Sequence, residues 1–167
     1  MGSITVRRAR TGDVHGIREL IAPLVDQRIL LGKELVTLYE AVQEFRVAED
    51  EGGRLVGCGA LHVLWEDLGE VRTLAAASEW RGRGVGHAML EQLETDAREL
   101  GLSRLFCLTF ETGFFGRHGF VDMGDETVDP AVYAELLRSN DEGVAEFLDL
   151  ARVKPNTLGN TRMIKRL

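Results

Sequence analysis

Three glycines at alternate positions, Gly82, Gly84 and Gly86, run directly into an apolar-periodic stretch within Trp80-Arg81-Gly82-Arg83-Gly84-Val85-Gly86-His87-Ala88-Met89-Leu90. Residues without a Cβ let successive peptide N–H groups converge on an anion, and a helix behind them adds unpaired donors and the positive end of its dipole. Arg81 and Arg83 place full charges beside those donors, a combination suited to a pyrophosphate. The bland alternative is a glycine-rich turn with two solvated arginines. Two phosphate loops do not fit, because a dinucleotide fingerprint needs glycine where His87 stands and a P-loop needs Gly-Lys-Ser/Thr. The pattern that does fit is R-x-x-G-x-G, read as Arg81, Gly84 and Gly86.

The rest of the composition narrows the partner. With 167 residues, 44% of them hydrophobic and only three prolines, the chain has the makings of one domain over 1–167. Its charge, 20 basic residues against 27 acidic, is −7, without a basic tail or block. That disfavours nucleic acid and anionic lipid and points to a small molecule. No apolar run approaches the roughly 20 residues of a membrane span, and no signal-peptide pattern opens the chain, so a cytoplasmic protein is expected. Cys58 and Cys107 lie in apolar stretches outside any C-x-x-C or Cys/His cluster, which predicts buried free thiols and no metal site.

In chain order, residues 4–8 alternate as a half-buried strand, and Thr11 or Asp13 can cap the helix that follows. Val14, Ile17, Leu20, Ile21, Leu24 and Val25 hold one helical face, with Pro23 predicting a kink or break. A second helix is expected over 36–43, after a charged connection over 26–34 that includes Arg28 and Lys33. Strands are expected at 45–49, 55–64 and 70–77, with turns at 50–53 and 65–69, an antiparallel meander feeding the glycine loop. The helix after it is followed by 104–110, apolar enough for a strand buried on both faces, so strand, loop, helix and strand form a parallel crossover. Short helices at 111–117 and 130–138, a strand at 146–150, a turn-rich loop at 155–160 and a terminal edge strand at 161–164 complete the reading, and such an edge leaves room for a homodimer. The fold class is α/β (α+β): a mixed central sheet with an antiparallel meander, one parallel crossover, and helices on both faces.

This order of elements, the R-x-x-G-x-G loop and the later Phe114-Phe115-Gly116-Arg117-His118-Gly119-Phe120 resemble the GNAT superfamily of N-acetyltransferases over the whole chain. A narrower resemblance, to short-form bacterial N-acetylglutamate synthases of arginine biosynthesis, is carried by Leu35-Val36-Thr37-Leu38-Tyr39-Glu40, Leu108-Thr109-Phe110-Glu111-Thr112 and Lys154-Pro155-Asn156-Thr157-Leu158-Gly159-Asn160-Thr161-Arg162-Met163. The resemblance implies acetyl-coenzyme A as cosubstrate. Its pyrophosphate would meet Arg81, Gly82, Arg83, Gly84, Val85, Gly86 and His87, and its pantetheine arm would run beside Leu74, Ala75 and Ala76. A backbone N–H near Ala76 would polarise the thioester carbonyl, stabilising the developing oxyanion.

An acceptor α-amine is mostly ammonium near neutral pH and must lose a proton before attack, which calls for a carboxylate base. Glu70 stands six positions before Ala76, so period two puts both on one side of the strand unless a bulge intervenes. Glu111, just past the buried strand, is the rival base, and Thr109 can orient a water. Many superfamily members place a tyrosine, the acid for the leaving thiolate, where this chain has Phe115, which has no proton to give. A thiol of pKa about 8.5 departs with little help or takes a proton from water. His62 and His118 are secondary acid candidates. L-Glutamate, or L-glutamine as the alternative, needs fixed cations for its carboxylate, and Arg72, two residues after Glu70, projects to the same face. Lys33, Arg28, Asn160 and Arg162 are further acceptor-binding candidates, and Arg117 is read as structural or near the cofactor. Another amino acid or a protein amine as acceptor, and a noncatalytic acetyl-coenzyme A sensor, remain open.

Overall fold

Alternating residues at 4–8 form β1 (Ile4–Arg8), and α1 (Val14–Asp26) follows a single 3-10 turn at Thr11–Asp13. The structure is a computed structural model that describes residues 2–157 and 159–167, with the side chains of Pro155 and Asn156 left outside the description. Asp13 ties the entry to α1: its carboxylate accepts from the Arg10 N–H at 2.7 Å and from both Arg7 Nη atoms at 2.8 and 3.0 Å. The break expected at Pro23 does not occur. Pro23 lies one turn from the end of α1, so its missing N–H costs the helix one bond and the remaining residues keep their spacing.

α2 (Leu35–Glu40) is shorter than expected and gives way to a 3-10 turn at Val42–Glu44 before β2 (Phe45–Asp50). β3 (Leu55–Trp65) and β4 (Leu68–Ala76) complete the antiparallel start of the sheet. Asp50 builds the hairpin between β2 and β3, accepting from the Gly52 and Arg54 N–H groups at 2.9 Å each. α3 (Val85–Leu100) then returns the chain to β5 (Arg104–Thr109), which pairs parallel with β4 in the register Leu68 to Arg104, Gly69 to Leu105 and Glu70 to Phe106.

After β5 come α4 (Thr112–Arg117), β6 (Val121–Asp122), α5 (Pro130–Leu136), α6 (Glu142–Phe147), α7 (Lys154–Thr157) and β7 (Thr161–Arg166). The strand order is β1-β2-β3-β4-β5-β7-β6. Three sequence expectations fail here. Residues 146–150 are not a strand: Asp141 caps α6 by accepting from the Val144 N–H at 3.1 Å, and the helix runs into the turn at Leu148 and Asp149. The terminal strand is not an edge, because it lies between β5 and the two-residue β6, so the edge argument for a homodimer falls away. The loop at 155–160 begins as α7, while Leu158 of the tail motif, like Met1, lies outside the described residues.

The chain divides into two compact units, Met1–His62 with Val71–Leu100, and Val63–Glu70 with Gly101–Leu167. In the first, Val14, Ile17 and Ile21 of α1 and Leu38 of α2 pack on Val47, Cys58 and Ala75, while Ala48 and Val56 meet Val85 and Met89 of α3. Helices therefore cover both faces of its strands. Arg46 of β2 grips Asp96 of α3 with Nε and Nη2, both at 2.7 Å, and Gln92 also donates to that carboxylate at 3.0 Å. In the second, Leu68, Phe106 and Ile164 lie under Leu136, Val144 and Phe147, with the Phe106 and Phe147 rings edge-on at 5.3 Å.

Candidate functional site

The glycine loop in the first unit is built as an exposed bridge between two anchored ends. Trp80 is buried, residues 81–84 are exposed, and Val85 is buried again at the start of α3. Gly82 (φ 74°) and Gly84 (φ 84°) both occupy the left-handed region, where a Cβ would be strained, and open space surrounds each. The Ala88 N–H is the first to find a helical acceptor, the Gly84 carbonyl at 3.0 Å. The N–H groups of Val85, Gly86 and His87 precede it in the first turn, at the positive end of the dipole. Arg83 lies over the Trp80 ring at 5.1 Å, and His87 Nε2 stands 3.4 Å from Glu91. An exposed loop whose Gly82 and Gly84 carry no Cβ, with donors at the helix start and two arginines, fits a pyrophosphate.

Upstream of the loop, Leu74 and Ala76 pack toward α3 and Ala75 toward α1. The condition attached to the shared face of Glu70 and Ala76 is met by Thr73, whose φ of 57° breaks the alternation of β4 between them. The Cys58 thiol donates to the Thr73 carbonyl at 3.3 Å. Burial pushes that thiol up to about 12. Arg72 and Lys33 are half-buried, and Arg28 is exposed with a φ of 59°. A cavity of about 390 Å3 opens between α1, at Leu20 and Pro23, and the segment from Ala76 to Arg81.

In the second unit, Glu70 is 3% exposed, an ionisable group in the interior of the sheet. Cα partners in a sheet turn their side chains to the same face, as do residues two apart along one strand. The pairings Glu70 to Phe106, Phe106 to Ile164 and Leu108 to Arg162 thus set Glu70, Leu108 and Arg162 on one face. Leu108, Asn160 and Arg162 line a second cavity, of about 370 Å3, together with Asp122, Asp149 and Lys154. Two predicted acceptor residues, Asn160 and Arg162, meet there. The Arg162 guanidinium is already engaged: it donates to the Glu146 carbonyl at 3.2 Å, to the Gly124 carbonyl at 3.5 Å and to the Phe147 carbonyl.

Glu111, the rival base, is exposed at the start of α4, and its N–H donates to Thr109 Oγ1 at 2.8 Å. His118 Nδ1 donates to the Phe114 carbonyl at 2.8 Å, while His62 Nδ1 pairs with Glu44 at 2.9 Å. Phe115 is buried among aromatics, edge-on to Phe114 and Phe120 at 5.1 Å each. Both cysteines are free, and burial, with the Glu70 charge as a second cause, raises the Cys107 thiol far above its ordinary value. Among the described residues there is no cluster of His, Cys, Asp and Glu that could hold a metal ion, and no helix long and apolar enough to cross a membrane. Neither Lys154, quoted only within the tail motif, nor Asp149 is assigned a site role by the sequence. Their place in the second cavity depends on α6 ending where a strand was expected.

Comparison with known proteins now decides the family. The model described as the acetyltransferase (GNAT) family matches residues 23–120. The chain belongs to the GNAT family of acetyltransferases. A Mycobacterium tuberculosis relative named amino-acid acetyltransferase is 58% identical over 161 residues, 95% of this chain and 92% of the relative. The crystal structure of Rv2747 from Mycobacterium tuberculosis, in complex with CoA and NLQ, is similar at 57% identity and a TM-score of 0.91, covering 98% of this chain and 99% of that one. The N-acetylglutamate synthase of Neisseria gonorrhoeae, complexed with coenzyme A and N-acetyl-glutamate, matches at 28% identity and a TM-score of 0.76. That match covers all of this GNAT chain but 36% of the gonococcal one. The mixed seven-stranded sheet with its one parallel pair is the GNAT fold.

Proposed function

We propose that residues 1–167 act as one catalytic domain that transfers the acetyl group of acetyl-coenzyme A to the α-amine of L-glutamate, the first step of arginine biosynthesis in the cytoplasm, with L-glutamine as the alternative acceptor. The observation that carries the reading is Glu70, buried on β4 just ahead of the glycine loop and facing the same side as the cavity at Leu108 and Arg162. The 58% identity to an amino-acid acetyltransferase and the gonococcal synthase's complex with N-acetyl-glutamate support the acceptor class.

Acetyl-coenzyme A supplies a thioester; attack by the amine nitrogen on its carbonyl carbon forms the C–N bond and breaks the C–S bond, leaving an N-acetyl amino acid and free thiol. Arg81, Arg83 and the N–H groups from Gly82 to His87 hold the pyrophosphate. Leu74, Ala75 and Ala76 line the pantetheine path, and a backbone N–H near Ala76 polarises the carbonyl. Glu70 takes the ammonium proton, directly or through one water. It is favoured over Glu111 because it is enclosed while Glu111 is exposed. As the tetrahedral intermediate collapses its nitrogen gives the remaining excess proton to water and the thiolate takes one from water, since Phe115 has none to offer. Arg72 and Lys33 attract acceptor carboxylate, and Asn160 offers it an amide, while Arg162, spent on three carbonyls, shapes the cavity wall.

Coenzyme A release measured against a panel of amino acids and amine-bearing peptides tests the reading. Turnover with glutamate or glutamine and inert peptides is the expected result, and Arg72→Ala cripples it. Reaction with peptides while both amino acids stay inert overturns it, and tight coenzyme binding without any turnover makes the chain a sensor.

A further inference from the structure

The second cavity contains a cation whose placement has a consequence for substrate choice. Among the described residues two basic side chains line it, Arg162 and Lys154. Arg162 has Nε, Nη1 and Nη2 committed to the carbonyls of Glu146, Gly124 and Phe147, and the bonds to Glu146 and Phe147 fasten β7 to the end of α6. Turning that guanidinium toward a ligand would strand the carbonyls of the buried Glu146 and Phe147, each costly to leave unsatisfied. Lys154 is different. Its ammonium pairs with Asp149 across a half-exposed contact, 53% and 42% exposed at the two side chains. An ion pair that open to water holds little net free energy, so the ammonium is free to change partners.

The pair also stands where a second carboxylate would reach. Along β5, Leu108 lies two residues beyond Phe106, the partner of Glu70, which is an advance of about 6.6 Å on the same face. With its amine at Glu70, an acceptor of glutamyl length directed along that face brings its side-chain terminus to the Leu108 row and the mouth of the cavity. Asp149 holds its position through an unusual backbone, φ 58°, fixed by the turn that closes α6, where the Asp149 N–H donates to Glu146 O at 3.1 Å and the Leu150 N–H to Ala145 O at 3.0 Å.

Building on the acetyl-transfer reading above, we propose that Lys154 is a specificity-determining residue: it leaves Asp149 to pair with the side-chain carboxylate of a dicarboxylic acceptor, and so sets the preference for glutamate over its amide. Glutamine presents a neutral amide, gains nothing from the exchange, and leaves the Lys154–Asp149 pair in place. Asp149 is then the competitor that tempers glutamate affinity.

The experiment measures kcat/KM for glutamate and for glutamine with the wild type, Lys154→Met and Asp149→Asn. Methionine keeps the unbranched stem without the charge, and asparagine tolerates the left-handed backbone at 149. Lys154→Met is expected to lower kcat/KM for glutamate roughly tenfold and that for glutamine less than about threefold, the change residing in KM. Asp149→Asn is expected to raise kcat/KM for glutamate several-fold and leave glutamine unchanged. Equal losses with both acceptors in Lys154→Met, or no change in their ratio in either variant, overturns the role of Lys154 while leaving the acetyl-transfer reading standing. A wild type that acetylates neither amino acid while turning over peptides overturns both.

Discussion

Glu70 stands opposite Phe106 in the parallel pairing of β4 with β5, with 3% and 0% of their surfaces exposed. A carboxylate is thereby set into the row of side chains that continues through Leu108 to the second cavity. Burial of this kind is costly for a charge and suits the proton transfer proposed for Glu70, since a base works best held away from competing water.

Glu70→Gln removes the proposed proton acceptor and keeps the shape. Turnover is expected to fall by on the order of 10²–10⁴, with coenzyme A affinity nearly unchanged. Coenzyme release in the steady state and calorimetric coenzyme titration check the two halves, and equal loss of both assigns Glu70 to structure instead.

Gly84 precedes α3 with φ 84° in open space, so a larger residue there meets backbone strain rather than a clash. Gly84→Val is expected to cost about 1–2 kcal/mol at that position and to weaken coenzyme A binding at least tenfold. Circular dichroism melting alongside coenzyme titration separates loss of the loop's shape from loss of the fold.

Arg7 holds the Asp13 carboxyl below its ordinary value, the hydrogen bond between them being the main cause, and the Arg10 N–H adds to the effect. A carboxyl lowered in the folded state stabilises the protein above its unfolded value, near 3.9, and loses that contribution as pH falls through the lower folded one. Asp13→Asn is therefore expected to reduce stability at pH 7 while flattening the acid limb below about pH 4. Urea titrations at several pH values measure both, and a parallel shift at every pH removes Asp13 from the account.

Burial raises both thiols, Cys58 to about 12 and Cys107 further. Thiolate is the reactive form, so neither is expected to react with Ellman's reagent at pH 8 in the native state, and both react in denaturant. A rapidly titrating native thiol contradicts the packing of β3 or β5.

Much of the fold was legible because its signals are local. The alternation of β1, the Asp50 turn, the apolar face of α1 and the glycine entry to α3 each state their structure within a few residues. The errors have physical causes. Glu146-Phe147-Leu148-Asp149-Leu150 alternates over five residues, too few to outweigh the Asp141 cap upstream and a helix buried from Gly143 to Phe147. Thr73 is β-branched and carries no hint of the left-handed φ it adopts where its carbonyl accepts from the Cys58 thiol. Nothing before β7 announces that Val121–Asp122 will pair with it and remove an edge. At the site, the shape of the glycine loop could be read directly, since Gly82 and Gly84 announce their left-handed φ by residue type. The occupation of Arg162 by three carbonyls could not, because those acceptors lie 15, 16 and 38 residues away.

The contact of Arg83 with the Trp80 ring bears on how the loop receives a ligand. A free arginine on a glycine-rich bridge samples many rotamers, and an anion capturing it must quiet them all. Stacked on an indole that is itself anchored in the core, this guanidinium is largely stilled when the chain folds. For the pyrophosphate proposed to bind here, capture then demands less ordering, which would make the loop a preformed receptor rather than one assembled around its guest.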